Sequence, residues 1–185
     1  MNMFLKLLVI VLIIFSNSCS KKEEKISIIQ EKEIRLQMID AYKEGVKALE
    51  EGDVLFAAKK FNEAEILFPQ SVWAPKSILM AAYSYYVQDY YYDAISELDR
   101  FIKNYPKNER LNYAHFLLAM CYYEQIVDEK KDLGPLLNAQ KEFKFVIKNY
   151  PNSDFALDSK FKLDFINDIL ASKEIYLGRY YIKKE

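Results

Sequence analysis

The residues whose types could support catalysis or metal binding are one histidine, two cysteines and a few acid pairs, and their spacing brings no reactive set together. His115 is the only histidine in 185 residues. An imidazole becomes a base or a ligand when a carboxylate, thiolate or second imidazole converges on it. No such group stands at motif spacing, so His115 reads as a packing residue. Cys121 lies inside the apolar stretch 116–123 and reads as a small buried hydrophobe, not a reactive thiol. Glu23 and Glu24, like Glu50 and Glu51, are adjacent and point in different directions. That suits solvation better than paired acid and base work. GxGxxG, GxxxxGK[ST], HExxH and GxSxG are all absent. The expectation is a protein with no cofactor, no metal, no small-molecule substrate and no enzymatic activity.

Lys and Arg number 26 against 27 for Asp and Glu, which leaves no basic footprint for neutralising phosphates and makes nucleic acid an unexpected partner. The four arginines, Arg35, Arg100, Arg110 and Arg179, are scattered, which argues against a clustered anion clamp. Tyrosine is abundant at 15 and glycine scarce at 4. A tyrosine-rich, glycine-poor chain has much rigid amphipathic contact surface and little material for hairpins or phosphate loops.

At the N-terminus, Lys6 precedes an unbroken apolar run from Leu7 to Phe15, then Ser16, Asn17, Ser18 and Cys19. The run is short against the roughly 20 residues a spanning helix needs, and the order of charge, apolar run and small residues is that of a signal peptide. Cys19 after small residues resembles the lipobox of bacterial lipoproteins, with Ser16 where an aliphatic residue is usual. The expectation is a signal peptide over residues 1–18 and a lipidated Cys19. A charged stalk would then cover residues 19–30. An uncleaved signal anchor is the alternative. Ser20 stands where an aspartate often signals inner-membrane retention, which points to the outer membrane.

The remaining residues must be positioned by a repeat. Gly45, Ala82 and Ala119 recur at intervals of 37, as do Ala48, Tyr85 and Tyr122. Ala57 and Ala94, Phe61 and Leu98, and Pro69 and Pro106 share the same interval. A third copy continues through Ala139, Phe143 and Pro151, 45 after the second, with a charged insertion ending in Gly134 and Pro135. Small residues on the first helix of each unit let the second approach, and proline ends the second helix because it cannot donate the next amide bond. Small and aromatic columns with a terminal proline are the tetratricopeptide pattern, here 37 residues long. The fold class expected is all-α: a right-handed superhelical solenoid of helical hairpins over residues 31–185. Its repeats fall at about 38–70, 75–107 and 112–152, with a partial fourth over 153–185. The last stretch is read as a long capping helix or helix pair in which Ile175, Gly178 and Tyr181 match a fourth first helix.

First helices of such repeats line a groove. The positions projecting there include Tyr42, Tyr83, Tyr86, Tyr113, Phe116 and Tyr123, a set suited to extended peptide. Packing between units is the competing reading for several of them.

The stretches FNEAEILFPQSVWAPKSILMAAYSYYVQDYYYDAISELDRFIKNYP (61–106), NYAHFLLAMCYY (112–123) and KNYPNSDFALDSKFKL (148–163) resemble the BamD/ComL family of β-barrel assembly lipoproteins. The resemblance runs from about Glu31 onward. It implies a periplasm-facing, lipid-anchored scaffold of the outer membrane that receives unfolded barrel-protein segments. It also implies docking on the POTRA domains of a BamA-like insertase. The family typically has five repeats, more than are read here. Tyr176, Arg179, Tyr180 and Tyr181 on the last helix are therefore expected to supply the insertase dock. A general envelope adaptor with the same lipid and repeats is the alternative reading.

Overall fold

A computed structural model describes residues 28–126 and 133–184, with backbone only for Ile28 and Ile29. The signal segment, Cys19 and most of the insertion at 127–132 lie outside the described residues. The chain divides into two compact units, Met1–Lys32 and Glu33–Glu185. Of the first, only the start of one helix is described; the helical hairpins belong to the second.

Every regular element among the described residues is a helix. They run α1 (Ile28–Glu50), α2 (Val54–Leu67), α3 (Ala74–Tyr86), α4 (Tyr91–Asn104), α5 (Leu111–Glu124), α6 (Gly134–Asn149) and α7 (Asp154–Ile182). Their ends obey local chemistry. Asp53 caps α2 by accepting from the Phe56 amide at 3.1 Å, and Ser153 caps α7 through the Ala156 amide at 3.2 Å. Pro75 and Pro135 stand in the first turns of α3 and α6, where a missing amide hydrogen costs nothing. Helices α2, α4 and α6 stop at Leu67, Asn104 and Asn149, just ahead of the three prolines. Between α1 and α2 the chain reverses through Gly52 at φ 83°, a conformation that glycine adopts without a side-chain penalty.

Each helix packs on the next in chain order from α2 to α7, and α3 with α5 and α5 with α7 also touch. The first helices therefore stand side by side, as in a solenoid of tetratricopeptide type. The repeat columns are its core. Ala57, Ala94 and Ala139 are fully buried, and so are Phe61, Leu98 and Phe143 four residues on. Burying one such large side chain contributes about 1.5–3 kcal/mol. Gly45 on α1 faces Phe61 so closely that an added Cβ would lie 2.9 Å from the ring.

Polar contacts join the second helices. Arg100 on α4 donates to Glu65 and, at 2.8 Å, to Asn62 on α2, and it holds Glu97 at 2.6 Å. Asn62 donates in turn to Glu97 at 2.8 Å. Glu65 is 7% exposed, so the arginine compensates a carboxylate removed from water.

Of the two forms expected for the last element, a helix or a helix pair, the structure has the single helix. α7 is continuous over 29 residues. Its first part packs on α5 and α6 through Ala156, Ser159 and Ile166, but from Ala171 onward every described residue except Lys173 is exposed. Gly178 has open space around it, unlike Gly45, so no close helix crossing explains it.

A candidate protein-binding face

The aromatic positions expected to line a groove do fall on first helices, but their neighbours divide them. Tyr42 on α1 lies edge-on to Phe61, centroids 5.2 Å apart, and to Trp73, 5.0 Å apart. Lys76 Nζ stands 5.2 Å from the Tyr42 ring centre and 4.8 Å from that of Trp73, within range of a cation–π attraction. Trp73 is the single tryptophan of the chain and is 36% exposed. It forms a wall between two adjoining clefts. One, of about 280 Å³, is lined by Ile39, Tyr42, Val46 and the stems of Lys43 and Lys76. The other, of about 340 Å³, is lined by Arg35, Met38, Phe68 and Val72 among others. Apolar walls with cationic rims suit a large apolar side chain on a segment that carries negative charge nearby.

Tyr83 is 38% exposed and free to contact a ligand, whereas Tyr86 is half-buried against Tyr91 at 6.0 Å. Burial raises the Tyr86 hydroxyl above its usual range, and the charge of Glu124 adds to it. Tyr113, Phe116 and Tyr123 are half-buried and meet α7. Phe155 lies 5.5 Å from Tyr113 and 5.1 Å from Phe116, and Phe165 lies 6.0 Å from Tyr123. Lys162 covers the Tyr123 ring at 4.7 Å. Burial pushes the Tyr113 hydroxyl up to about 12. Of the six only Tyr83 is exposed; Tyr42 packs with Trp73 and Lys76, and Tyr113, Phe116 and Tyr123 pack with Phe155 and Phe165 of α7. Sequence periodicity misses Trp73 because it sits in the turn between hairpins.

His115 has a carboxylate partner after all. Its Nδ1 and Glu142 Oε2 are 2.8 Å apart, and its ring stacks on Phe145 at 4.0 Å. Burial works against the charge of Glu142, but the hydrogen bond and charge of His115, aided by Lys141, hold its carboxyl below the usual range. The pair joins α5 to α6 at the floor of an open cleft of about 520 Å³ flanked by Lys144 and Lys148. With the partners 27 positions apart, no motif scan finds them. No group of three or more His, Cys, Asp or Glu suited to a metal occurs among the described residues. Cys121 is buried, and burial pushes its thiol up to about 12.

Tyr176, Arg179, Tyr180 and Tyr181 are all exposed, yet they do not share one face. At roughly 100° per residue, Tyr176 and Tyr180 stack a turn apart, while Tyr181 lies roughly 160° from Arg179 around the helix.

Residues 35–185 match the sequence profile of the family described as YfiO, outer membrane lipoprotein. The outer membrane protein assembly factor BamD of Caulobacter vibrioides is 38% identical over 165 residues, 89% of this chain and 53% of that protein. BamD of Rickettsia prowazekii is 35% identical over 144 residues, covering 78% of this chain and 57% of its own. BamD of Neisseria meningitidis serogroup B is 28% identical over 153 residues, 77% and 57% of the two. This chain spans about half the length of the curated relatives it matches.

Proposed function

The chain belongs to the YfiO family of outer membrane lipoproteins, and from that membership we propose that it is a non-catalytic scaffold of outer-membrane β-barrel assembly. In this reading lipid on Cys19 tethers it to the periplasmic side of the outer membrane. The aromatic row of the first helices holds extended segments of unfolded barrel proteins. The Tyr176 and Tyr180 face of α7, with Arg179 at its edge, docks a BamA-like insertase through its periplasmic domains.

The observation that carries the reading is the Tyr42, Trp73 and Lys76 cluster with its two adjoining clefts. Unfolded barrel segments alternate apolar and polar residues, so successive side chains of one face can enter successive clefts while the backbone stays extended. Rigid aromatic walls give large contact area at little conformational cost.

Trp73 is a built-in reporter, because no other tryptophan contributes to the emission. Titration with an extended peptide from a barrel strand should change Trp73 fluorescence saturably, and a scrambled, charge-rich peptide should not. Tyr83→Ala should weaken binding several-fold with unchanged melting. An unresponsive Trp73, together with failure of the membrane-extracted protein to bring down an insertase, would defeat the proposal.

A further inference from the structure

The mouth of the Trp73 cleft collects positive charge from three parts of the chain. Lys43 comes from α1 and Lys76 from α3, and both line the cleft of about 280 Å³. The ammonium of Lys76 is held over two rings, 5.2 Å from the centre of Tyr42 and 4.8 Å from that of Trp73. The third charge is Arg110, the residue just before α5. Burial raises the Tyr42 hydroxyl above its usual range, and the charge of Arg110 works against that rise. Arg110 therefore reaches the same hydroxyl from the third hairpin. Arg35 adds a further cation at the adjoining cleft.

No carboxylate of the protein answers Lys43 or Lys76. Neither cleft beside Trp73 is lined by Asp or Glu, and neither lysine forms an ion pair among the described residues. On α1, Asp40 is exposed and pairs with none of these cations, and Glu44 is taken by Lys60 at 2.9 Å. Arg110 meets Glu109 at 3.9 Å, with both side chains more than half exposed, a contact that water and salt make weak. A cation held against aromatic faces beside an apolar cleft has lost part of its water. A carboxylate brought there from outside gains charge-assisted hydrogen bonds, and the Tyr42 hydroxyl can donate one more.

We propose that Lys76, Arg110 and the Tyr42 hydroxyl form a carboxylate seat, which makes the Trp73 site selective for extended segments with an acidic side chain next to the apolar one held in the cleft. This selectivity rests on the peptide-binding reading given above and extends it. The clefts continue on both sides of Trp73, so a segment that fills both passes through the site. The carboxylate is then that of a side chain and not of a chain end. In an extended segment, residues two positions apart point the same way about 6.6 Å from each other, so one face of the segment serves both the cleft and the seat.

The test is a titration of the full chain in detergent with short dye-labelled peptides amidated at the C-terminus, read by fluorescence anisotropy. One peptide carries Glu two positions from an apolar residue, a second has Gln in its place, and a third has Lys. The Glu peptide should bind about tenfold tighter than the Gln peptide, as close opposite charges at an interface do, and high salt should narrow the gap. Lys76→Gln should erase the preference while leaving the affinity for the Gln peptide unchanged, which a damaged site would not do. Lys76→Glu should invert it toward the Lys peptide. Arg110→Gln should narrow it several-fold, and Lys144→Gln, on α6, should leave it intact. Equal binding of the Glu and Gln peptides by the wild type, or a preference that survives Lys76→Gln, would overturn this proposal alone. A wild type that binds neither peptide would overturn it together with the peptide-binding reading.

Discussion

Gly45 and Phe61 are in contact across the first hairpin, with no room for a methyl group between them. An added Cβ would come within 2.9 Å of two ring atoms and 3.1 Å of a third, and Phe61 is wholly buried, so the ring cannot give way. Alanine gains about 1 kcal/mol of helix propensity over glycine, but overpacking a core costs about 1–3 kcal/mol. Gly45→Ala should therefore be neutral to mildly destabilising, and Gly45→Leu should lose the full range. Urea denaturation followed by circular dichroism measures both. Gly178→Ala, in open space, should be stabilising by the propensity alone.

Arg100 is the second test of inter-repeat packing. Arg100→Ala leaves Glu65 buried without its cation, and removing one partner of a buried pair is costly. Arg100 is itself 36% exposed, so water offsets part of the loss. A destabilisation of about 1–3 kcal/mol is expected. Glu65→Gln with Arg100→Ala should cost less than the sum of the two single changes, which a double-mutant cycle by urea melts would resolve.

The pair of His115 and Glu142 predicts an acid limb. The folded carboxyl of Glu142 titrates below its ordinary value of 4.5, so its contribution is complete above that value. It is lost as pH falls through the lower folded one. Asp99 is shifted the other way, by burial and by the Glu142 charge, so the informative quantity is the difference between proteins. His115→Phe keeps a ring on Phe145 and removes the hydrogen bond. Its melting temperature should fall less steeply than that of the wild type below pH 4.5. Parallel curves would show that the pair has no part in acid stability.

Cys121 should be inert in the folded protein. With the thiol pushed up to about 12, the thiolate that reacts with disulfide reagents is scarce at pH 8. Ellman's reagent should label it only on unfolding. Rapid labelling of the native chain would mean that α5 opens locally.

Lipidation at Cys19 is tested in cells. Cys19→Ala should abolish fatty-acid labelling and release the protein from membranes, since two or more acyl chains are needed for stable anchoring at about 0.8 kcal/mol per buried CH₂. Equal labelling of both proteins would place the anchor elsewhere.

The hairpins and their cores were legible because the repeat displays each packing position three times. Gly45, Ala82 and Ala119, or Phe61, Leu98 and Phe143, announce a contact by recurring. Prolines announce the ends in the same way. What occurs once had no such echo. Trp73 lies in a turn, where helical periodicity says nothing about direction, and Glu142 meets His115 across a variable connection. Spacing named the aromatic positions of the first helices but not which of them are buried, since packing of Tyr86 against Tyr91 depends on rotamers that spacing does not determine. The continuity of α7 was legible only as the absence of glycine or proline between Asn152 and Gly178.

The order of helix contacts, each element resting on its neighbours in the chain, has a mechanical consequence. No strand or disulfide among the described residues ties distant parts together, and contacts beyond the adjacent hairpin are absent or slight. Pulled from its two ends, such a chain yields like a spring. It should first stretch by small rotations between hairpins and then give way one hairpin at a time, at low force, without a single large rupture.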